Sequence, residues 1–240
     1  MWQEPYFLSI VMPVYNEEKV IEKVVRSFYK TILEKFKQSE FIIINDCSTD
    51  STPTILERLK QKYSCIKVIT NEHNQGHGPS LRRAYKEAQG EYIFHCDSDN
   101  QFFAEDFWLL WKKIKEKNLG LVMGFRERRS DPLHRKLLSQ ILRLLILLFF
   151  RASYRDINAP FKLYTRSTLN KVLPVIPPYA LVPTILMVLA THKYNISNSE
   201  VGVRHLPRLT GKTFIRSWNI FIFGWKAIKE IIQFKKILQT

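Results

Sequence analysis

The stretch YIFHCDSDNQF (residues 92–102) begins as an apolar run and ends in a cluster of carboxylates and amides. Within that cluster, Asp97, Asp99 and Gln101 occupy alternate positions. Residues two apart in an extended segment point the same way, so these oxygen-bearing side chains can converge. Oxygen ligands suit Mg²⁺ or Mn²⁺, with substrate phosphates completing the shell. The stretch therefore predicts half of a metal site where a buried strand ends. The alternative is an Asx-rich turn that caps a helix beginning near Ala104.

Apolar runs that resemble this strand alternate along the chain with segments of helical spacing. The strands are predicted at residues 7–14, 41–46, 66–70, 92–96 and 119–124. The helices are predicted at residues 17–37, after the cap-forming STDST at 48–52, at 79–89 with Gly90 as C-cap, and at 104–117. Such alternation predicts an α/β fold, in which a mainly parallel, Rossmann-like sheet is flanked by helices on both faces.

Polar clusters follow each of the first four predicted strands. They are PVYNE (13–17), NDCSTD (45–50), NEHNQGHG (71–78) and DSDNQ (97–101). In open parallel sheets, ligands bind in the crevice beyond the carboxyl ends of the strands. Any one cluster could be an ordinary loop, but four on the same rim favour a binding site.

Composition limits the partners and the compartment. The 240 residues include 37 Lys and Arg against 22 Asp and Glu, a formal net charge of +15. This excess predicts an anionic partner, which could be nucleic acid, a lipid surface or a phosphorylated substrate. The three cysteines lack paired spacing, so we expect a reducing compartment and no disulfides. The six histidines show no metal-ligand spacing, and we therefore predict no zinc site.

The ordered series of motifs resembles the family 2 glycosyltransferases of GT-A fold, most closely the dolichol-phosphate mannose synthase-like branch. The similarity extends from about Leu8 to Thr213. It rests on VMPVYNE, on INDCSTDST and on the long stretch from Asn74 to Gln101 that ends in Asp-x-Asp. Two looser segments, MGFRERR (123–129) and RDINAPFKLYTR (155–166), are similar to acceptor-side motifs of polyprenyl-phosphate glycosyltransferases.

The resemblance implies a role for each candidate residue. Its nucleotide pocket would include Pro13, Tyr15 and Glu17, with Asp46 at the base or ribose. The catalytic residues would be Asp97, Asp99, Arg126 and Asp156, and the ion, Mg²⁺ or Mn²⁺, would be surrounded by Asp97, Asp99 and Gln101. Phosphate groups would be faced by Arg126, Arg208 and Lys212. For Asp156, a helix or turn cap is the alternative.

The chemistry of sugar transfer agrees with these roles. Transfer from a nucleoside diphosphate builds negative charge on the departing diphosphate, which a divalent ion and nearby cations stabilise. The sequence has no Gly-x-x-x-x-Gly-Lys loop and no Gly-x-Gly-x-x-Gly fingerprint, so metal and side chains must hold the phosphates.

The resemblance also suggests a division of the chain. Residues 1–125 would form the nucleotide-sugar half of one GT-A domain, and residues 126–213 its acceptor half. Residues 214–240 would form a basic amphipathic helix with Phe214, Trp218, Phe221, Trp225, Ile228 and Ile232 on one face.

We expect this helix to lie at an anionic membrane surface, on the cytoplasmic face, or else to pack on its own domain. Residues 134–151 offer a second apolar face with flanking cations. We expect no membrane-spanning segment, because the run ILRLLILLFF (141–150) is half the length of about 20 residues that a span needs. The N-terminus does not resemble a signal peptide.

Three hypotheses follow. The first is an inverting, metal-dependent glycosyltransferase that moves a sugar from a nucleotide-sugar to a polyprenyl phosphate. The second is the same chemistry on a saccharide hydroxyl, in assembly of a surface polysaccharide or lipopolysaccharide. The basic segment RHLPRLTGKT (204–213) favours the first, because it stands where many hydroxyl-directed relatives carry an acidic base motif. The third, a nucleic-acid-binding protein, is disfavoured by the absence of any recognised motif.

Overall fold

A computed structural model describes residues 3–127, 133–207 and 217–238. Within these residues the strands are β1 (Glu4–Val14), β2 (Phe36–Asn45), β3 (Ile66–Thr70), β4 (Tyr92–Cys96), β5 (Leu121–Arg126), β6 (Phe161–Thr165) and β7 (Asn198–Val203). The helices are α1 (Ile21–Thr31), α2 (Thr52–Lys62), α3 (His77–Glu87), α4 (Phe107–Glu116), α5 (Leu133–Phe150), α6 (Arg166–Val172), α7 (Pro183–Lys193) and α8 (Ser217–Ile237).

All of these strands belong to one sheet, in the order β3-β2-β1-β4-β6-β5-β7. The neighbours β3-β2, β2-β1, β1-β4 and β5-β7 run parallel. Only β6 runs antiparallel to its two neighbours, β4 and β5. The predicted mainly parallel α/β sheet is therefore confirmed, and strands from both predicted halves share it.

The sheet is covered on both faces, because alternate residues of β1 enter two separate cores. Val11 lies in the core that contains α3, α6, α7 and the inner sides of α5 and α8. Leu8, Ile10 and Met12 lie in the core that contains α1, α2 and α4. Burial of each aliphatic side chain contributes about 1.5–3 kcal/mol to the stability of the fold. Packing in the two cores therefore fixes where the strand ends lie relative to the helices.

The predicted helix over residues 17–37 is too long. Helix α1 ends at Thr31, a 3₁₀ turn covers Leu33–Lys35, and β2 already begins at Phe36. Strand β2 begins this early because it pairs with β1 from the first residue of β1, where Glu4 lies opposite Phe36. Backbone hydrogen bonding to β1 overrides the helical spacing of the local sequence.

One predicted cap is also wrong. Helix α3 ends at Glu87 instead of next to Gly90, whose amide donates to Ser9 Oγ at 2.7 Å. A Cβ at position 90 would lie 2.6 Å from the Ser9 nitrogen, so glycine is needed for this close approach. The predicted STDST segment does supply the N-cap residue of α2, Ser51, whose own side chain makes no cap hydrogen bond. Within the segment, Asp50 Oδ1 accepts from the Thr52 amide at 2.9 Å, and Thr52 Oγ1 accepts from the Glu17 amide at 2.9 Å.

Helix α8 packs on its own domain through Ala227, Ile231 and Phe234, which are buried. The predicted apolar face lies beside this contact, and Trp225 on it is 70% exposed. Phe214 is outside the described residues. The packing alternative is therefore correct for one side of the helix, while another side carries an exposed tryptophan.

Helix α5 packs against α8, and the Lys235 ammonium of α8 lies 5.2 Å from the centre of the Phe149 ring. Its outer side exposes Ile141, Leu144, Leu147 and Leu148. Among the helices that the structure describes, none is both long and apolar enough to cross a membrane.

Candidate active site

The loops after β1, β2 and β4 meet at one edge of the sheet, and each contains a non-glycine residue in the left-handed region. These residues are Asn16 (φ 54°), Cys47 (φ 59°) and Asn100 (φ 59°). Left-handed backbone is costly for such residues and persists where the surroundings impose it, often at ligand sites. The predicted clusters therefore form sharply turned loops.

Side-chain hydrogen bonds join the first two loops. The Asn16 amide donates to Ser48 Oγ at 3.0 Å, and the Thr49 amide donates to Asn16 Oδ1 at 2.8 Å. The hydroxyls and carboxylate of the STDST segment thus connect neighbouring loops. These bonds hold Tyr15 and Glu17 at the edge where the sequence predicts them.

Asp46, predicted at the base or ribose, is buried and organises the loop after β3. Its carboxylate accepts from Asn71 Nδ2 at 2.7 Å, from the Gln75 amide at 2.9 Å and from the Gly76 amide at 2.8 Å. Three hydrogen bonds to one carboxylate fix the loop that leads into α3. Asp46 also lines the groove described next, so its predicted contact with the donor stays a prediction.

A groove of about 840 Å³ runs along this edge, a volume typical of small-molecule sites. Its walls include the predicted residues Pro13, Tyr15, Glu17, Asp46, Asp97, Asp99, Gln101 and Arg126. Arg208 and Lys212 lie outside the described residues. The fold therefore brings the described candidates together in one cavity, apart from Asp156, which lies behind Arg126.

Two histidines flank Asp97. Its Oδ1 lies 3.2 Å from His77 Nε2 and 3.5 Å from His95 Nε2. Burial opposes the charge of Asp97, but the His77 charge and hydrogen bond outweigh it and hold the pKa of Asp97 well below its usual range. Burial acts the other way on His95, whose pKa is lowered to about 4. Asp97 is therefore ionised and His95 neutral near pH 7.

The other two predicted metal ligands, Asp99 and Gln101, follow Asp97 in the same loop. The Gln101 backbone N–H donates to Asp99 Oδ1 at 3.2 Å, and the Gln101 side chain donates through Nε2 to the Leu206 carbonyl at 2.8 Å. These bonds link the Asp-x-Asp loop to the segment after β7. His205 of that segment also lines the groove.

Arg126 and Asp156 form a two-point ion pair. Arg126 Nε donates to Asp156 Oδ2 at 2.6 Å, and an Nη of the same guanidinium donates to Oδ1 at 3.0 Å. The Asp156 side chain is only 4% exposed. Because both carboxylate oxygens are engaged, the pair orients the guanidinium beside the groove.

Lys162 of β6 is fully buried behind the site and donates to the Ala159 carbonyl. Burial lowers the pKa of Lys162 to about 8, although the charges of Asp156 and Asp97 oppose this shift. Lys162 lies opposite His95 in the pairing of β6 with β4. The buried ammonium thus adds positive charge behind the carboxylates.

Part of the groove lining is apolar and includes a residue of α8. Tyr179, Leu181 and Phe223 line it, and the Tyr179 side chain is almost fully exposed. Glu230 of α8 accepts from the Leu181 and Val182 amides at 2.9–3.0 Å. This acid therefore joins α8 to the apolar wall.

Sequence reasoning missed the histidines of the site. The prediction of no zinc site stays a prediction, but His77, His95 and Asp97 place their ligand atoms within 4.8 Å of one another, which the sequence did not indicate. No local spacing shows this, since His77 begins α3 and His95 lies in β4. The only signal was that both stand in the motif stretch that ends in Asp-x-Asp.

The relatives of the chain include dolichyl-phosphate beta-glucosyltransferases. One from Trichomonas vaginalis is 31% identical over 179 residues, which cover 69% of this chain and 55% of the relative. One from Dictyostelium discoideum is 28% identical, covering 82% of this chain and 65% of the relative. The chain thus spans less than two thirds of the length of these relatives.

Solved structures share the fold. Glucosyl-3-phosphoglycerate synthase from Mycobacterium tuberculosis, in complex with Mn²⁺, UDP-glucose and phosphoglyceric acid, superposes with a TM-score of 0.69 at 18% identity. The match covers 96% of this chain and 80% of that one, and the fold is the predicted GT-A type. Residues 9–181 match the profile described as Glycosyl transferase family 2. With the loops, the groove and this match over most of its length, the chain belongs to glycosyl transferase family 2.

Proposed function

We infer that this chain is an inverting, metal-dependent glycosyltransferase. It moves a sugar from a nucleotide-sugar to a polyprenyl phosphate, at the cytoplasmic face of a membrane. The observation that carries this proposal is the composition of the groove, whose lining combines carboxylates and Arg126 with the apolar side chains of Tyr179, Leu181 and Phe223. A polar donor and a lipid acceptor need such a pair of surfaces in one cavity.

The polar side chains of the groove fit a nucleotide-sugar. Pro13, Tyr15 and Glu17 would line the nucleotide pocket, with Asp46 at the base or ribose. The Arg126 guanidinium faces the same groove and is held by Asp156, so it is oriented before a donor arrives. Preoriented cations stabilise charge as it develops on a leaving diphosphate.

The carboxylates of the groove also fit a divalent cation. Asp97 stays ionised beside His77, and the backbone N–H of Gln101 orients the Asp99 carboxylate. Ionised carboxylates with an amide oxygen match the ligand preference of Mg²⁺ and Mn²⁺. When bound by Asp97, Asp99 and Gln101, such an ion would neutralise charge on the departing diphosphate.

The acceptor is argued from the ion pair of Asp156, the carboxylate considered as a general base. A sugar hydroxyl must lose its proton as it attacks, so its enzyme needs a positioned general base. Asp156 is the predicted candidate, but both of its oxygens accept from Arg126. A phosphate monoester is ionised near neutral pH and needs no base. The names of the relatives, dolichyl-phosphate glucosyltransferases, support the same acceptor.

Attachment to the membrane is argued from α5 and α8. Both helices expose large apolar side chains, including Leu148 and Trp225, beside Arg143, Lys226 and Lys229. Near an anionic leaflet each cation contributes about 1 kcal/mol. Because Phe223 of α8 also lines the groove, this surface would bring the apolar lining of the groove to the lipid.

The test is transfer by the purified chain with Mg²⁺ or Mn²⁺, starting from UDP-glucose and then other labelled nucleotide-sugars. We expect a lipid-linked product from polyprenyl phosphate that is labile to mild acid. Arg208→Ala should reduce transfer more than donor binding, because this residue is proposed to face the phosphates. Efficient transfer to a free oligosaccharide, with none to polyprenyl phosphate, would establish the hydroxyl acceptor instead.

A further inference from the structure

A cluster of three side chains lies beside the groove and mixes nitrogen with oxygen ligands. His77 Nε2 and His95 Nε2 lie 3.2 Å and 3.5 Å from the same oxygen, Asp97 Oδ1. In a tetrahedral zinc site, neighbouring ligand atoms stand about 3.3 Å apart, as the metal–ligand lengths near 2 Å require. Two of the three ligand–ligand distances therefore match a metal shell, and all three ligand atoms lie within 4.8 Å of one another.

His95 supplies a second observation. Its side chain is fully buried, and neither ring nitrogen has a hydrogen-bond partner among the described residues. Buried polar atoms are nearly always paired, and an unpaired one calls for an explanation such as an ion. His95 lies on β4 two residues before Asp97, which directly follows the strand, so the two side chains can point to the same side.

The surrounding charge also suits a cation. The carboxylates of Asp97, Asp46 and Asp99 all act electrostatically on the His77 ring. His77 is half exposed and lines the groove, which gives an ion a path from solvent. The path from solvent, the ligand atoms and the negative charge of the carboxylates thus coincide at one place.

We propose that His77, His95 and Asp97 form a binding site for a divalent transition-metal ion of the Zn²⁺ class. Two imidazoles and one carboxylate favour zinc-like ions over Mg²⁺, which prefers oxygen ligands alone. The site differs from the oxygen set of Asp97, Asp99 and Gln101 but shares Asp97 with it. A zinc-like ion held here draws Asp97 away from the donor, so zinc would restrain sugar transfer.

The test uses Zn²⁺ and the ¹⁵N-labelled chain, without donor or acceptor, so it does not depend on the proposed function. We expect one equivalent of Zn²⁺ to shift the imidazole ¹⁵N signals of His77 and His95 and to leave those of the other four histidines in place. Mg²⁺ at the same concentration should shift neither signal.

Matched variants separate this site from others. His77→Asn should weaken Zn²⁺ binding about tenfold or more, since a direct ligand is worth at least as much as the outer partners that orient ligands. His73→Asn, which removes an exposed histidine of the same loop, should leave the affinity unchanged. Asp99→Asn should keep the His77 and His95 shifts, because Asp99 belongs to the oxygen set.

Two results would overturn the proposal. One is the absence of saturable Zn²⁺ binding by the folded chain. The other is binding that His77→Asn leaves intact and Asp99→Asn abolishes, which would place the ion among the oxygen ligands alone. Circular dichroism of each variant excludes unfolding as the cause of any loss.

Discussion

The Arg126 guanidinium, at the end of β5, donates hydrogen bonds to both carboxylate oxygens of Asp156, at 2.6 and 3.0 Å. The two side chains are only 14% and 4% exposed. A buried pair of this kind is costly to break, because the remaining charge loses its partner and recovers little water. The pair therefore supports the site structurally, besides any part that it takes in the chemistry.

We expect Asp156→Asn to lower the free energy of unfolding by about 3 kcal/mol, since Arg126 would keep its charge without a counter-charge. Urea denaturation measures the change. The control is Glu105→Gln, which removes an exposed carboxylate 3.7 Å from Arg204 and should cost less than about 1 kcal/mol. Lost transfer with an unchanged unfolding free energy would instead assign Asp156 a direct catalytic role.

Asp99→Asn should abolish metal-dependent donor binding and transfer while the fold stays intact. The change keeps the size of the side chain but removes the charge that a divalent ion requires. Calorimetry with nucleotide-sugar, with and without Mn²⁺, measures the loss. Glu72→Gln, an exposed carboxylate after β3, is the control and should behave as the unaltered chain. Undiminished activity in folded Asp99→Asn would remove Asp99 from the metal site.

The double variant Trp225→Ser, Leu148→Ser should bind anionic vesicles about tenfold more weakly or worse. The two side chains are 70% and 66% exposed and would bury apolar area in the interface. Co-sedimentation with phosphatidylserine vesicles measures binding, and thermal melting checks the fold. Leu109→Ser removes an exposed leucine of α4, on the other face of the sheet, and should not change binding. Equal binding by both variants would refute attachment through α5 and α8.

Lys162 should give stability a measurable pH dependence. Its pKa falls from 10.5 to about 8 on folding, chiefly by burial, despite Asp156, Asp97 and Glu200. Below pH 8 the lysine is charged in both states, and the full penalty of about 3 kcal/mol applies. Between pH 8 and 10.5 only the unfolded chain keeps the proton, so the free energy of unfolding rises with pH.

The measurement is the difference in unfolding free energy between the unaltered chain and Lys162→Met, followed from pH 7 to 10.5. This difference removes titrations that the two proteins share. We expect it to move in favour of the unaltered chain as the pH rises. A difference that stays constant with pH would show that Lys162 is not buried as a charged group.

The apolar runs were enough to predict the first five strands, because strands buried on both faces need continuous hydrophobic sequence. Strands β6 and β7 were not predicted. Lys162 interrupts the apolar run of β6, and NSEVGV of β7 carries too few apolar residues to be distinctive. The rim clusters predicted the groove, but the meeting of His77 with His95 depends on how α3 docks beside β4, which no local pattern records.

The position of β6 between β4 and β5 has a consequence for synthesis of the chain on the ribosome. Strand β5 pairs only with β6 and β7, and both are translated later. Until residue 165 has emerged, Leu121, Val122 and Met123 therefore belong to an unpaired apolar strand. Such edges are prone to wrong association. Production of the protein in cells should thus depend on chaperone supply during that interval, even though β1, β2 and β3 already have their partners.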